Sequence, residues 1–153
     1  LLSEFKEKSP ELLKKIVVID FDQALKATLE DMGVKFAYGD ISSPDVLEHA
    51  HHGQVRIVVC TIPDSLLRGV SNKTLIKVAH MTWTGAHVIA TADNPWQARN
   101  LYDAGADYVL RMSKLCAERL HDLLSEHSLH ADGSGELAHL FKFYKSRDGS
   151  FIL

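Results

Sequence analysis

The sequence contains no apolar run that approaches the ~20 residues a membrane-spanning helix needs, so no span is expected within it. It also has no surplus of positive charge: 17 Lys and Arg stand against 20 Asp and Glu, for a net charge of −3. That balance supplies no field to draw in nucleic acid or an anionic membrane, and no nucleic-acid partner is expected. There are only two cysteines, Cys60 and Cys116, far apart and without metal-ligand spacing. They read as reduced thiols of a cytosolic setting, each a small buried hydrophobe rather than a redox sensor. No signal peptide is visible, and Leu1-Leu2-Ser3-Glu4-Phe5-Lys6 reads like sequence from the middle of a domain. A nucleophile elbow, paired cleft carboxylates and a metal motif are all lacking, which argues against an enzyme. Nine histidines are present. His49, His51 and His52 cluster, but helical spacing splits their directions and no second cluster completes a ligand set, so they read as surface residues and no metal is expected.

What is there is ordinary for one globular domain: 153 residues, 46% hydrophobic and 24% charged. The stretch that orders the rest is Ile16-Val17-Val18-Ile19-Asp20-Phe21-Asp22. Its β-branched run without alternation predicts a strand buried on both faces, as in a parallel sheet covered by helices. The acid that follows sits where open α/β sheets bind ligands, just beyond the carboxyl ends of the strands.

Before that strand, Leu1, Leu2 and Phe5 suit the end of an amphipathic helix, and Ser9-Pro10 breaks or restarts it. After it, Asp22 is placed to cap a helix with Leu25, Leu29 and Met32 inward and Gly33 at its end. A second strand is predicted over 34–38, ending at Gly39-Asp40. A short helix starts at Ser43-Pro44 and carries Val46, Leu47 and Ala50. A third strand, 55–60, empties into Thr61-Ile62-Pro63-Asp64. The pattern then predicts a long helix over about 65–82 with Leu67, Val70, Thr74, Val78 and Met81 on one stripe. A fourth strand covers 87–91. Asn94-Pro95 opens a helix with Ala98, Leu101 and Tyr102 inward, closed by Gly105. A fifth strand covers 108–110, and Ser113 caps a last helix carrying Leu115, Cys116, Leu120, Leu123 and Leu124. Trp83 and Trp96, near helix ends, read as core or interface residues. Residues 125–135 read as a linker, and Leu137, Leu140, Phe141 and Tyr144 as one more short helix. The regular β-α alternation predicts a doubly wound, Rossmann-like α/β fold with a parallel sheet and helices on both faces. The domain is placed at 1–128, with a linker, short helix and tail at 129–153.

Three stretches carry a family resemblance: Val17-Val18-Ile19-Asp20-Phe21-Asp22; Gly39-Asp40-Ile41-Ser42-Ser43-Pro44-Asp45; and Leu101-Tyr102-Asp103-Ala104-Gly105-Ala106-Asp107-Tyr108-Val109. Together they resemble the TrkA-N (KTN or RCK) nucleotide-binding regulatory domain of potassium channels and transporters. The long helix after Asp64 and the Ser113 helix resemble the Kef-type potassium efflux antiporters in particular. One departure is large. The family opens with a strand and a glycine-rich phosphate cradle, whereas the first glycine here is Gly33. In the doubly wound order that strand is central. Without it two neighbours are left unpaired, and they must close on one another or have the place filled.

The resemblance implies a cytosolic regulatory domain at the cytoplasmic face of the cell membrane, controlling a potassium efflux (K+/H+ antiport) system through a homodimer and a membrane transport domain. It implies AMP as the favoured ligand, with NAD or NADH second because the diphosphate cradle is absent. Glutathione or its adducts are implied as a further input. Asp20 is read as the acceptor for ribose hydroxyls, with strand termination as the alternative; Asp22, with Phe21 between them, is read first as a cap. Gly39, Asp40 and Ile41 are expected to form the adenine pocket, against the alternative of a plain strand-end turn. Thr61, Ile62 and Pro63 are expected to line the opposite wall, against an ordinary βα loop. Thr91 and Ala92 lie further out. Arg68, Asn72, Lys73 and Arg99 are read as solvated helix faces. An NAD(P)-dependent oxidoreductase fragment, or a structural domain that no longer binds ligand, are the alternatives.

Overall fold

A computed structural model describes residues 1–51, 53–128, 139, 141–143 and 145. The chain forms two compact units, Leu1–Arg111 and Met112–Leu153. The first holds α1 (Leu2–Lys8), α2 (Pro10–Leu13), β1 (Val17–Asp20), α3 (Leu25–Asp31), β2 (Lys35–Tyr38), α4 (Pro44–Ala50), β3 (Ile57–Cys60), α5 (Asn72–Thr82), β4 (His87–Ala92), α6 (Pro95–Asp103) and β5 (Tyr108–Arg111). The second opens with α7 (Met112–Ser128). The expected α/β alternation with parallel strands is what the chain adopts.

The strands form two sheets rather than one. β1 pairs with β2, and β3-β4-β5 form the other sheet; all pairings are parallel. β1 and β3 are thus left with one neighbour each, and they do not close on one another. Each sheet has its own core. Ile76, Ala79, Val88, Ala90, Ala92, Ala98, Leu101, Ala106 and Val109 fill the three-stranded one. Leu13, Leu29 and Val34, with Leu2, Phe5, Val18 and Phe36 against them, fill the two-stranded one. The short helices α1 and α2 therefore serve the β1-β2 sheet, and Pro10 restarts the backbone at the first position of α2.

The strand that is buried along nearly its whole length is β4, not β1. β4 has a neighbour on each side, whereas every residue of β1 is half-buried. Double-sided burial needs both edges paired as well as both faces covered, and β1 has only one edge paired.

Two helices depart from the expected pattern. α5 begins at Asn72, not near Ser65. Gly69, at φ +75°, is in the left-handed region and interrupts any helix through it. Ser71 Oγ then accepts from the amide of Thr74 at 3.3 Å and caps the true start. The buried face of α5 is Asn72, Leu75, Ile76 and Ala79, so the expected stripe through Thr74 and Met81 is misphased, and Met81 is exposed. α7 begins at Met112, so Ser113 lies inside its first turn, and Cys116 is exposed rather than inward. On α6, Ala98 and Leu101 are buried as expected, whereas Tyr102 is part-exposed and its hydroxyl accepts from Val109 N–H at 3.1 Å. Trp96 is exposed and belongs to no core.

The start of α6 was legible. Asn94 Oδ1 accepts from Gln97 N–H at 2.8 Å, and Gln97 Oε1 returns the favour to Asp93 N–H at 2.8 Å, a reciprocal cap with Pro95 at the first helical position. The linker expected over 125–135 is helical at 125–128, within α7; its remainder and the positions Leu137, Leu140 and Tyr144 lie outside the described residues, as does His52.

Candidate functional site

The parallel register sets Asp20 opposite Tyr38, so the turn after β1 and the turn after β2 leave the sheet side by side. Gly39 N–H donates to the Asp20 carbonyl at 3.1 Å and joins the two turns directly. Acids two residues upstream of an amide tend to fold back onto it, and each acid here does so. Asp20 Oδ1 accepts from Asp22 N–H at 2.9 Å, and Asp22 Oδ1 accepts from Ala24 N–H at 2.9 Å. Asp40 Oδ1 accepts from both the amide and the hydroxyl of Ser42, at 2.8 and 2.7 Å.

These bonds use one oxygen of each carboxylate. Among the described residues, Oδ2 of Asp20 and Oδ2 of Asp40 accept no hydrogen bond, so each remains available to an incoming donor. The Ser42 hydroxyl and amide hold the Asp40 carboxyl below the usual carboxylate range, so it stays ionised. Asp22 does not cap α3 itself: the helix starts one residue beyond its bond, with Ala24 at the capping position. Phe21, between the two acids, is 70% exposed, and Ile41 is half-buried.

Thr61, Ile62 and Pro63 follow β3, on the other sheet. Thr61 is exposed, and Ile62 and Pro63 are half-buried. No hydrogen bond joins this loop to the Asp20–Gly39 set among the described residues. Thr91 and Ala92 are buried, and Thr91 Oγ1 donates to the Cys60 carbonyl at 3.4 Å. They belong to the core under β4 rather than to a site wall.

Asn72 is a residue the sequence reading misplaced. It is fully buried at the first position of α5, not on a solvated face. Its amide donates to Asp64 Oδ1 at 2.7 Å, and its Nδ2 donates to the Ile62 carbonyl at 2.8 Å. Gln97 Nε2 donates to Asp64 Oδ2 at 3.1 Å. The loop after β3 is thereby fastened to the first turns of both α5 and α6. Ser71 before Asn72 is the local signal for this helix start, whereas Asp64 acts from eight residues upstream.

The chemistry of this set is that of hydroxyl and amine recognition: fixed carboxylate oxygens, a tight glycine turn and one apolar side chain. That suits the ribose and base of a nucleoside. Residues 1–16 contain no glycine. Among the described residues no group of three or more His, Cys, Asp and Glu could hold a metal ion, and no helix is long and apolar enough to cross a membrane.

Comparison with known proteins identifies the fold. Among solved structures, the chain is similar to the TrkA-N domain of the inner membrane protein ybaL from Escherichia coli, at 21% identity and a TM-score of 0.65, covering 80% of this chain and 87% of that one. It is similar to the NAD(P)-binding domain of an exopolyphosphatase-related protein from Archaeoglobus fulgidus, at 17% identity and a TM-score of 0.66, covering 81% and 90%. It is also similar to the GsuK channel bound to NAD, at 20% identity and a TM-score of 0.59, covering 74% of this chain but 20% of the channel's. No curated protein sequence matches significantly. The TrkA-N domain family matches residues 1–112, from α1 through β5, and this chain belongs to that family.

Proposed function

We propose that this chain is the regulatory nucleotide sensor of a Kef-type potassium efflux (K+/H+ antiport) system. On this reading it binds an adenine nucleotide at the carboxyl ends of β1 and β2, AMP in preference to NAD or NADH, and performs no chemistry on it. Asp20 accepts from the ribose hydroxyls through Oδ2. Gly39, Asp40 and Ile41 receive the adenine, with Asp40 toward the exocyclic amine and Ile41 against the ring. Asp22 and Phe21 shape the turn between, and Thr61, Ile62 and Pro63 form the facing wall. Working at the cytoplasmic face of the membrane as a homodimer with a transport domain, the bound nucleotide favours one dimer arrangement by its differential affinity. Glutathione or its adducts would be a second input.

The observation that carries this reading is the Asp20–Gly39 junction. Two turns from adjacent parallel strands are locked together with unused carboxylate oxygens at Asp20 and Asp40. Family membership supports a regulatory role, and a structure of the GsuK channel bound to ADP, beside the one bound to NAD, supports an adenine nucleotide. The preference for a mononucleotide rests on the residues proposed for this site, which reach a ribose and a base and include no run of backbone amides for a diphosphate.

Calorimetric titration and thermal melting with AMP, ADP and NADH test it. AMP is expected to raise Tm more than NADH, and Asp20→Asn to weaken AMP by about tenfold, the worth of one charge-assisted hydrogen bond. A larger shift with NADH or NADPH, accompanied by turnover of a carbonyl substrate, would replace this reading with an oxidoreductase fragment. No heat and no shift with any nucleotide would leave a structural domain.

A further inference from the structure

The loop between β3 and α5 is closed at its base. Asn72 N–H donates to Asp64 Oδ1 at 2.7 Å, which joins the two ends of residues 65–71. Gln97 Nε2 holds the same carboxylate at 3.1 Å. Leu66 N–H donates to the Pro63 carbonyl and Leu67 N–H to the Asp64 carbonyl, so the first half of the loop folds back toward Thr61-Ile62-Pro63. Gly69, at φ +75°, then reverses the chain. Leu67 and Val70 are half-buried, and Arg68 between them is exposed. A short loop with joined ends presents the side chains at its tip. Arg68 therefore stands on a loop tip, not on the helix face expected from the sequence, and its guanidinium has no ion-pair or hydrogen-bond partner among the described residues.

This tip shares a rim with the acids after β1 and β2. α4 and α5 pack together. Each follows a strand of a parallel sheet and runs back against it, so both begin at the carboxyl edge. The turn that leads into α4, with Asp40, and the loop that leads into α5 are thus on one side of the molecule. That rim is acidic. Asp20 ends β1, and Asp22, Asp40, Asp64 and Asp93 stand in the turns that leave β1, β2, β3 and β4. In those same turns Arg68 is the one Lys or Arg. A phosphate monoester carries about −1.5 to −2 charges near neutral pH. Beside Asp20 or Asp40 it would be repelled, whereas the planar fork of a guanidinium matches its oxygens.

We infer that Arg68 binds the phosphate of the nucleotide and makes the site select a nucleoside monophosphate over the free nucleoside. The inference rests on the nucleotide reading above and supplies the group that reading leaves without a partner. Ribose and base lie at the acids after β1 and β2, and the phosphate lies toward the β3 loop, where the rim has its cation. The bond between Asp64 and Asn72 and the half-buried Leu67 and Val70 hold the backbone of the tip in place. Binding then orders only the arginine side chain, not the loop that carries it.

Calorimetric titration with AMP and with adenosine, on the parent chain, Arg68→Gln and Arg68→Lys, tests it. The parent is expected to bind AMP about tenfold more tightly than adenosine. Arg68→Gln should lose about that factor for AMP and leave adenosine unchanged, and Arg68→Lys should keep part of it as a point charge. Added salt should weaken AMP in the parent and leave adenosine unaffected. Arg68 is exposed, so both variants should melt with the parent when no ligand is present. Equal affinity of the parent for the two ligands, or a preference for AMP that survives in Arg68→Gln, overturns the inference while the ribose and base reading stands. A loss shared equally by adenosine overturns it as well, because Arg68 would then only shape the loop. No binding of either ligand removes the reading and the inference together.

Discussion

Gly39 lies so close to Val46 that a Cβ at position 39 would overlap the valine's Cγ1. The turn after β2 thus packs directly on the first half of α4, and the glycine is needed for space rather than for a left-handed backbone. Gly39→Ala is expected to destabilise the fold by about 1–3 kcal/mol, the usual cost of overpacking. Val46→Ala in the same chain should recover at least half of that loss, because it removes the atoms in conflict. Chemical denaturation of the two single variants and the double variant checks both statements; additive losses would show that the contact is not the cause.

Asn72 ties the loop after β3 to the start of α5. Asn72→Ala removes the donor to the Ile62 carbonyl in a fully buried setting and is expected to cost about 1–2 kcal/mol, toward the lower side because Asn72 Oδ1 itself has no partner among the described residues. Asn72→Asp should be worse, since it sets a second carboxylate beside Asp64 and leaves the carbonyl facing an acceptor. The expected order of Tm is Asn above Ala above Asp.

Asp107 accepts from His87 Nδ1 at 3.0 Å and from Val88 N–H at 2.7 Å, which pins the turn before β5 to the start of β4. The His87 bond first, and the Val88 amide second, hold its carboxyl below the ordinary value of 3.8. A depressed carboxylate stabilises the fold above the unfolded value and loses that contribution as pH falls through the folded one. Asp107→Asn should therefore lower Tm at neutral pH, with the difference from the parent shrinking as pH drops below 3.8. A difference independent of pH would assign the effect to geometry alone.

The two thiols should separate kinetically. Burial pushes the Cys60 thiol up to about 11 from 9.0, whereas Cys116 is exposed on α7. Only the thiolate attacks a disulfide reagent, so near pH 8 Cys60 should react on the order of a hundredfold more slowly than an ordinary thiol. Labelling followed by peptide mapping should find Cys116 modified first.

Much of the architecture could be read in advance because its signals are local. Gly33 ends α3, and Asn94-Pro95 with Gln97 opens α6. Counting β1 and β2 to their ends also placed Asp20 and Gly39 at the same rim. Most of the failures depend on partners distant along the chain. Gly69 breaks any helix through 65–71 and Ser71 caps α5, but the capture of the Asn72 amide by Asp64, eight residues upstream, has no local signal. A polar Asn reads as solvated until the Ile62 carbonyl that receives it is known. The run Ile16-Val17-Val18-Ile19 announces a strand correctly, but its burial depends on a second neighbour, which no property of the run itself reports.

The separate cores also govern how the molecule comes apart. The nine buried residues beneath β3, β4 and β5 share none with the three beneath β1 and β2. Nothing in the ladders couples the loss of one set to the loss of the other, so melting need not be all-or-none. A scanning calorimeter should register a van't Hoff enthalpy smaller than the measured heat, with the N-terminal helices and the first strand pair loosening while the remaining three strands still hold.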